Sequence, residues 1–285
     1  MKTIDLNCDV GEGMSSDAQI IPFISSANIA CGFHAGDEST IKKTIEYCIR
    51  YNVAIGAHPS WPDKEHFGRT EMQSSPTELY DCVTEQLNTI QNIATSLGAK
   101  LHHVKPHGAL YNQSAKDKTI AATIAKAVTE FDASLVLYGL SGSISISEAE
   151  QIHLKTAHEV FADRTYGDDG NLTPRSQFNA LIEDKNIALH QVLQMVNQGV
   201  VTTTTGKRIK VKADSICLHG DGKHALQFCK LIHQTLKQNR IEIKITKPML
   251  AINCCVKTVV CVRKPGPIAE VAMRNAAPPP MPPIL

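Results

Sequence analysis

Short apolar runs, each closed by a polar cluster, alternate along this chain with longer segments of helical periodicity. Residues 4–8, 25–31, 53–57, 102–107, 135–140, 158–162, 215–218 and 241–245 have the length and composition of strands. Between them, Leu79, Val83, Leu87, Ile90, Ile93 and Ala94 recur at three-and-four spacing up to Gly98, and Leu226, Cys229, Leu231, Ile232 and Leu236 do so late in the chain. Ser75-Pro76-Thr77-Glu78 predicts a helix start with proline in the first turn, and Asp37-Glu38-Ser39-Thr40 predicts another with acids at its positive end. Further helices are expected over 115–130, up to 152, and over 186–197, with a small hairpin around Gly206. Strands separated by helical segments of about 12 to 20 residues read as repeated βα units with a parallel sheet. The fold class expected is therefore α/β: an irregular (β/α) barrel of about seven strands spanning 1–245, in preference to an open doubly wound sheet.

The polar clusters have a common position, which changes the picture from fold to function. Asn7 and Asp9 with Glu12 end the first run; Asn28 with His34 and Asp37 ends the second. His58-Pro59 closes the third, leading to Arg69 across a long polar loop over 60–75. Lys105, His107, Tyr111 and Asn112 close the fourth, and Asp163-Arg164 and His219-Gly220-Asp221 close two later ones. An ammonium, imidazoles and carboxylates of this density are an improbable core. In a barrel all of these strand ends converge on one mouth, where catalysis takes place. Asp5, near the start of its strand, reads either as a site residue or as a structural acid at the opposite end.

Composition narrows the function classes. The chain has 285 residues, 42% hydrophobic and 20% charged, with a formal net charge of +1, so neither nucleic acid nor an acidic membrane surface is an expected partner. No run reaches the roughly 18 apolar residues of a membrane span, and the start lacks a basic segment leading into an apolar one. The nine cysteines are scattered without a Cys-x-x-Cys pair, the pattern of free thiols in a reducing cytoplasm. Past residue 245 the texture breaks. Cys254-Cys255, Cys261, Pro265-Gly266-Pro267 and the prolines over 278–283 show no periodicity, so 246–285 is expected to be a proline-rich tail outside the fold, resembling an altered reading frame.

Seven ordered motifs, Asp5-Leu-Asn-Cys-Asp-Val-Gly-Glu, Asn28-Ile-Ala-Cys-Gly-Phe-His-Ala-Gly-Asp, Gly56-Ala-His-Pro, Phe67-Gly-Arg, Val104-Lys-Pro-His-Gly-Ala-Leu-Tyr-Asn, Phe161-Ala-Asp-Arg and Cys217-Leu-His-Gly-Asp, resemble the LamB/YcsF family. The resemblance implies a barrel similar to those of glycoside hydrolases and deacetylases. It also implies ATP-dependent opening of the lactam 5-oxoproline to glutamate, carried out with two partner subunits, B and C. Neither Gly-x-x-x-x-Gly-Lys-[Ser/Thr] nor Gly-x-Gly-x-x-Gly occurs, consistent with ATP held wholly or partly by those partners. Hydrolysis of an unactivated cyclic amide needs a polarised carbonyl, an activated water and a proton for the leaving nitrogen. Lys105, His107, His58, His34, Asp9 and Asp221 are the expected catalytic groups, of types suited to acid–base work. Asn7, Glu12, Asn28, Asp37, Arg69, Tyr111, Asn112, Asp163, Arg164 and His219 are the expected substrate-binding groups, and Lys105, Arg69 and Arg164 are the cations expected to meet a carboxylate or phosphoryl group.

Two other readings stay open. One is a metal-dependent amide or N-acetyl hydrolase, since Asp9, His34, His58, His107, His219 and Asp221 are ligand types for a divalent ion and the deacetylase barrels implied by the resemblance use an Asp and two His for one. Against it, the only His-x-x-x-His is His103–His107, split by Pro106 in a strand, and no metal ligands are assigned from sequence. The other is a non-catalytic subunit that binds substrate or stabilises its partners.

Overall fold

The structure, a computed structural model, describes residues 1–220 and 225–245. Asp221 and the tail over 246–285 lie outside the described residues. Strand β1 (Lys2–Val10) alternates two kinds of side chain. Ile4, Leu6, Cys8 and Val10 join the main apolar core, whereas Asp5, Asn7 and Asp9 bond to residues of other strands on the opposite face.

Strands β2 (Ser26–Ala30), β3 (Ala54–His58), β4 (Leu101–Val104), β5 (Val136–Leu140) and β6 (Lys155–Phe161) follow in sequence order, each parallel to the last. The expected hairpin, β7 (Val200–Thr202) with β8 (Arg208–Lys210), is inserted next. Strand β9 (Ser215–Leu218) then pairs with both β6 and β1, so that among the described residues seven parallel strands close into a barrel. Strand β10 (Ile241–Ile243) lies outside this ring, parallel to Lys2–Ile4.

Helices Glu38–Tyr51, Pro76–Ser96, Lys118–Phe131, Lys185–Gln198 and Ala225–Gln238 surround the barrel, and their apolar residues share one core with the outward side chains of the strands. Their starts follow local chemistry: Asp37 accepts from the Thr40 N–H at 2.7 Å, and Ser75 with Glu78 forms a reciprocal capping box. One helix, Gly108–Ser114, was not expected where Pro106 and Gly108 interrupt the pattern. Tertiary contacts hold it: Ala109 donates to the Gly68 carbonyl at 2.9 Å, and Trp61 donates to Gln113 at 2.6 Å.

The barrel interior is polar, where barrels of this type are commonly filled by branched aliphatic residues. Low in the interior, Asp5 accepts from the hydroxyls of Ser25, Ser26 and Ser215, as a structural acid. Above it, Asn7 donates to Glu159 at 2.8 Å and to Ser215 at 2.7 Å, while Asn28 donates to Asn7 and Asp9, both at 2.7 Å. His103 completes this layer with a 2.8 Å bond to the side-chain Oδ1 of Asn28. Gly56 makes the layer possible, because a Cβ there would lie 2.1 Å from His103 Nε2. Every polar group in this interior is costly unless paired, and together these pairings specify one arrangement.

Candidate active site

At the top of the barrel the polar column opens into a cavity of about 300 Å³. Asp9, His58, Arg69, Lys105, His107, Tyr111, Asn112, Arg164 and His219 all line it. Nine of the residues expected at the mouth thus meet there, drawn from the ends of five strands, from the loop over 60–75 and from the helix Gly108–Ser114.

Lys105 is 2% exposed, and its ammonium is committed to internal partners: Asp9 Oδ1 at 2.8 Å, Glu159 Oε1 at 3.0 Å and Cys217 Sγ at 2.9 Å. Burial alone would release its proton, but Asp9, Cys217 and Glu159 hold its pKa well above the usual lysine range. Burial likewise opposes ionisation of Asp9, yet His58 and Lys105 hold its carboxyl well below the usual range. Lys105 is therefore an organiser of Asp9 and Glu159 rather than a free cation for a substrate anion.

His58 and His107 are each tied by one ring nitrogen to a backbone carbonyl. His58 Nδ1 donates to the Lys105 oxygen at 2.6 Å, and His107 Nε2 donates to the Phe67 oxygen at 2.8 Å. Phe67 presents that oxygen from a left-handed backbone (φ 58°), a conformation uncommon for a bulky residue and the kind of strain found at functional sites. Gly68 beside it cannot carry a side chain, since a Cβ would come within 2.8 Å of His107. The remaining nitrogens, His58 Nε2 and His107 Nδ1, face each other at 3.0 Å, with Asp9 Oδ2 at 3.4 Å from His58. His34 stacks on His107 with ring centroids 3.8 Å apart and reaches Glu12 at 3.3 Å. Burial and the neighbouring His58 push the His34 pKa down to about 3, so its ring is neutral near pH 7.

On the opposite wall, His219 Nδ1 lies 3.1 Å from both oxygens of Asp163. Burial resists ionisation of Asp163, and His219 outweighs it, keeping the carboxyl below its usual pKa. An imidazole oriented by a carboxylate beside a cavity is suited to carrying a proton. Arg164 is buried and donates to the Thr173 carbonyl at 2.6 Å. Its burial, then the neighbouring Arg175, lower its pKa to about 10. Arg69, Arg164 and Arg175 all line the cavity, an arrangement that favours an anion.

Several expected site residues take other positions. Asn7 and Asn28 are fully buried below the mouth, with their amides satisfied by Glu159, Ser215, Asn7 and Asp9, so they fix the site from beneath. Asp37 is exposed and its carboxylate is taken by the helix cap. Glu12 and His34 are buried behind His107 rather than on the cavity lining. Sequence reading missed Glu159, His103 and Arg175. Glu159 sits in phase with inward-facing Ala157 and Phe161, and an acid inside an otherwise apolar stretch was the available signal. Arg175 lies in a polar loop whose pattern gave none.

Among the described residues, Asp9, His58 and His107 form one group able to hold a metal ion, and Glu12, His34 and His107 another. No helix among the described residues is long and apolar enough to cross a membrane.

Comparison with known proteins places this geometry. The model of the LamB/YcsF family matches residues 4–251. The chain is 52% identical over 249 residues to the A subunit of a 5-oxoprolinase from Tolumonas auensis, covering 86% of this chain and 99% of the relative. It is 50% identical over 248 residues to the corresponding 5-oxoprolinase chain of Brevibacillus brevis, covering 85% and 98%. The crystal structure of a lactam utilization protein from Thermus thermophilus superimposes with a TM-score of 0.80 at 38% identity, covering 86% of this chain and 99% of that one.

Proposed function

Because the chain belongs to the LamB/YcsF family, we propose that it acts as the A subunit of an ATP-dependent 5-oxoprolinase, opening 5-oxo-L-proline to L-glutamate at the barrel mouth. Two partner subunits, B and C, complete the enzyme and hold ATP in whole or in part. The observation that carries this reading is the pairing, around one small cavity, of an anion-attracting guanidinium cluster with proton-carrying imidazoles.

The substrate carries a carboxylate beside a five-membered lactam. Arg69, Arg164 and Arg175 supply positive charge for that carboxylate and for a phosphoryl group on the amide oxygen. Phosphoryl transfer from ATP to that oxygen makes the ring carbon electrophilic. Water adds to it and the C–N bond breaks as the nitrogen takes a proton, leaving an acyl phosphate; a second water then adds to the acyl carbon and the phosphate leaves with the former amide oxygen. ATP thereby becomes ADP and phosphate, and the lactam becomes glutamate. His219, oriented by Asp163, suits the proton transfers, and His34, stacked behind His107, holds that imidazole in place.

The test is glutamate release from 5-oxoproline and ATP by the purified chain, with and without its B and C partners. Release is expected only with all three. His219→Gln is expected to lower it at least about 100-fold, the usual scale of a lost acid–base group, with an unchanged melting temperature. Turnover near the unsubstituted level in that variant would reject the mouth as the reaction site.

A further inference from the structure

The two histidines at the centre of the mouth are arranged in a way that lactam chemistry alone does not explain. A carbonyl oxygen only accepts hydrogen bonds, so the 2.6 Å contact from His58 Nδ1 to the Lys105 oxygen fixes the proton on Nδ1. By the same reasoning the 2.8 Å contact to the Phe67 oxygen fixes the proton of His107 on Nε2. In their neutral forms, His58 Nε2 and His107 Nδ1 are then both bare lone-pair donors, and they meet at 3.0 Å in a buried place. Asp9 brings a third. Its Oδ1 is occupied by Lys105 at 2.8 Å and Asn28 at 2.7 Å, which leaves Oδ2 turned to His58 at 3.4 Å.

We propose that Asp9 Oδ2, His58 Nε2 and His107 Nδ1 together bind one divalent transition-metal cation of the zinc type. The three residues offer ligand atoms that all lie within 4.8 Å of one another. Ligands about 2.0–2.1 Å from a tetrahedral ion sit roughly 3.3 Å apart, close to the 3.0 Å between the two ring nitrogens and the 3.4 Å from His58 to Asp9. A single proton between the rings would satisfy two of the three lone pairs, whereas a cation satisfies all three. The outer contacts match what metal sites require: each imidazole has its other N–H held by a carbonyl, and the carboxylate has its second oxygen held by Lys105 and Asn28.

The neighbouring group of Glu12, His34 and His107 does not compete for a second ion. His107 has one lone pair, on Nδ1, and it lies 3.0 Å from His58 against 3.6 Å from Glu12. The Asp9 group also lines the cavity, which leaves a coordination position open to an oxygen donor such as water or an amide carbonyl. Sequence reading counted Asp9, His58 and His107 among six residues of metal-ligand type but could not single out this set, because the partner of His107 is His58 from β3 and not His103, which points into the barrel and bonds Asn28.

This inference stands on ring tautomers and not on the lactam-opening reading. Its test is metal binding by the full chain, stripped with a chelator and titrated with ZnCl2 by calorimetry and with CoCl2 by visible absorption. One equivalent per chain with micromolar or tighter affinity is expected, with cobalt d–d bands of a low-coordinate N/O site. H58Q and H107Q are each expected to weaken binding at least about 100-fold, while H153N, at an exposed histidine, leaves it unchanged. Melting curves establish that each variant is folded. Should the histidine variants unfold, D9N and the ring-nitrogen NMR shifts of the unsubstituted chain decide, since zinc should move the His58 Nε2 and His107 Nδ1 signals. No stoichiometric zinc or cobalt binding, affinity unaltered in folded H58Q and H107Q, or ring shifts unmoved by zinc would each overturn the proposal. Intact metal binding in a chain that fails to support glutamate release would instead count against the lactam reading alone.

Discussion

A single buried ammonium faces two carboxylates in this barrel, Asp9 at 2.8 Å and Glu159 at 3.0 Å. Removing it would leave both acids desolvated without a cation, which makes Lys105 a structural keystone as well as a neighbour of the chemistry. Lys105→Met is expected to destabilise the fold by about 3–5 kcal/mol, measured as a drop in the urea midpoint at constant slope. A change below about 1 kcal/mol would mean that the acids are protonated or hydrated, unlike the paired arrangement described. At this scale the sequence was legible wherever a polar residue stood at a strand end beside Gly or Pro, as for His58, His107 and His219. It was least legible where side-chain direction decides the role. Lys105 and His107 are two positions apart, yet one is tied to carboxylates within the barrel and the other to His58 beside the cavity. Asn7 and Asn28 read as ligand-binding amides until their internal bonds are known.

The turn after β1 shows how an element carries an electrostatic load. Asp17, first residue of the short helix Asp17–Ile20, accepts from the Gly11 N–H at 2.9 Å and is 8% exposed. Burial raises its pKa to about 6, against the opposing pull of the Gly11, Met14 and Glu12 N–H groups. A carboxyl whose pKa is higher folded than unfolded favours folding in its protonated form. That contribution is complete below about pH 3.8 and is lost as pH rises through about 6. Asp17→Asn keeps an acceptor for Gly11 and removes the titration, so stability should fall less between pH 4 and 7 in the variant, by up to about 3 kcal/mol. Parallel stability curves for the two proteins would refute this. Among the elements, the capped helices at Asp37 and Ser75 were readable because capping is local. The Gly108–Ser114 helix was not, because bonds from Gly68 and Trp61, distant in sequence, hold it.

For the whole molecule, the strand–helix alternation announced a parallel barrel, and closure through β9 against both β1 and β6 completes it. The alternation within β1 contained more than that. Its apolar residues face the helices and its acids and amides face the axis, so the polar half of the pattern marks the barrel interior rather than solvent. A column of mutually hydrogen-bonded polar groups running up to the mouth gives the site a floor, on which precise orientation of Asp9 depends. The convergence itself could be expected from barrel geometry, but the meeting of His58 with His107 depends on loop geometry that no periodicity encodes. The most direct measurement is a crystal structure of the chain with 5-oxo-L-proline bound. The lactam is expected in the mouth, its carboxylate among Arg69, Arg164 and Arg175 and its ring facing His107 and His219. Density for it on the outer helices, or a mouth that stays empty at saturating lactam while the three-subunit enzyme turns over, would contradict the placement of the reaction there.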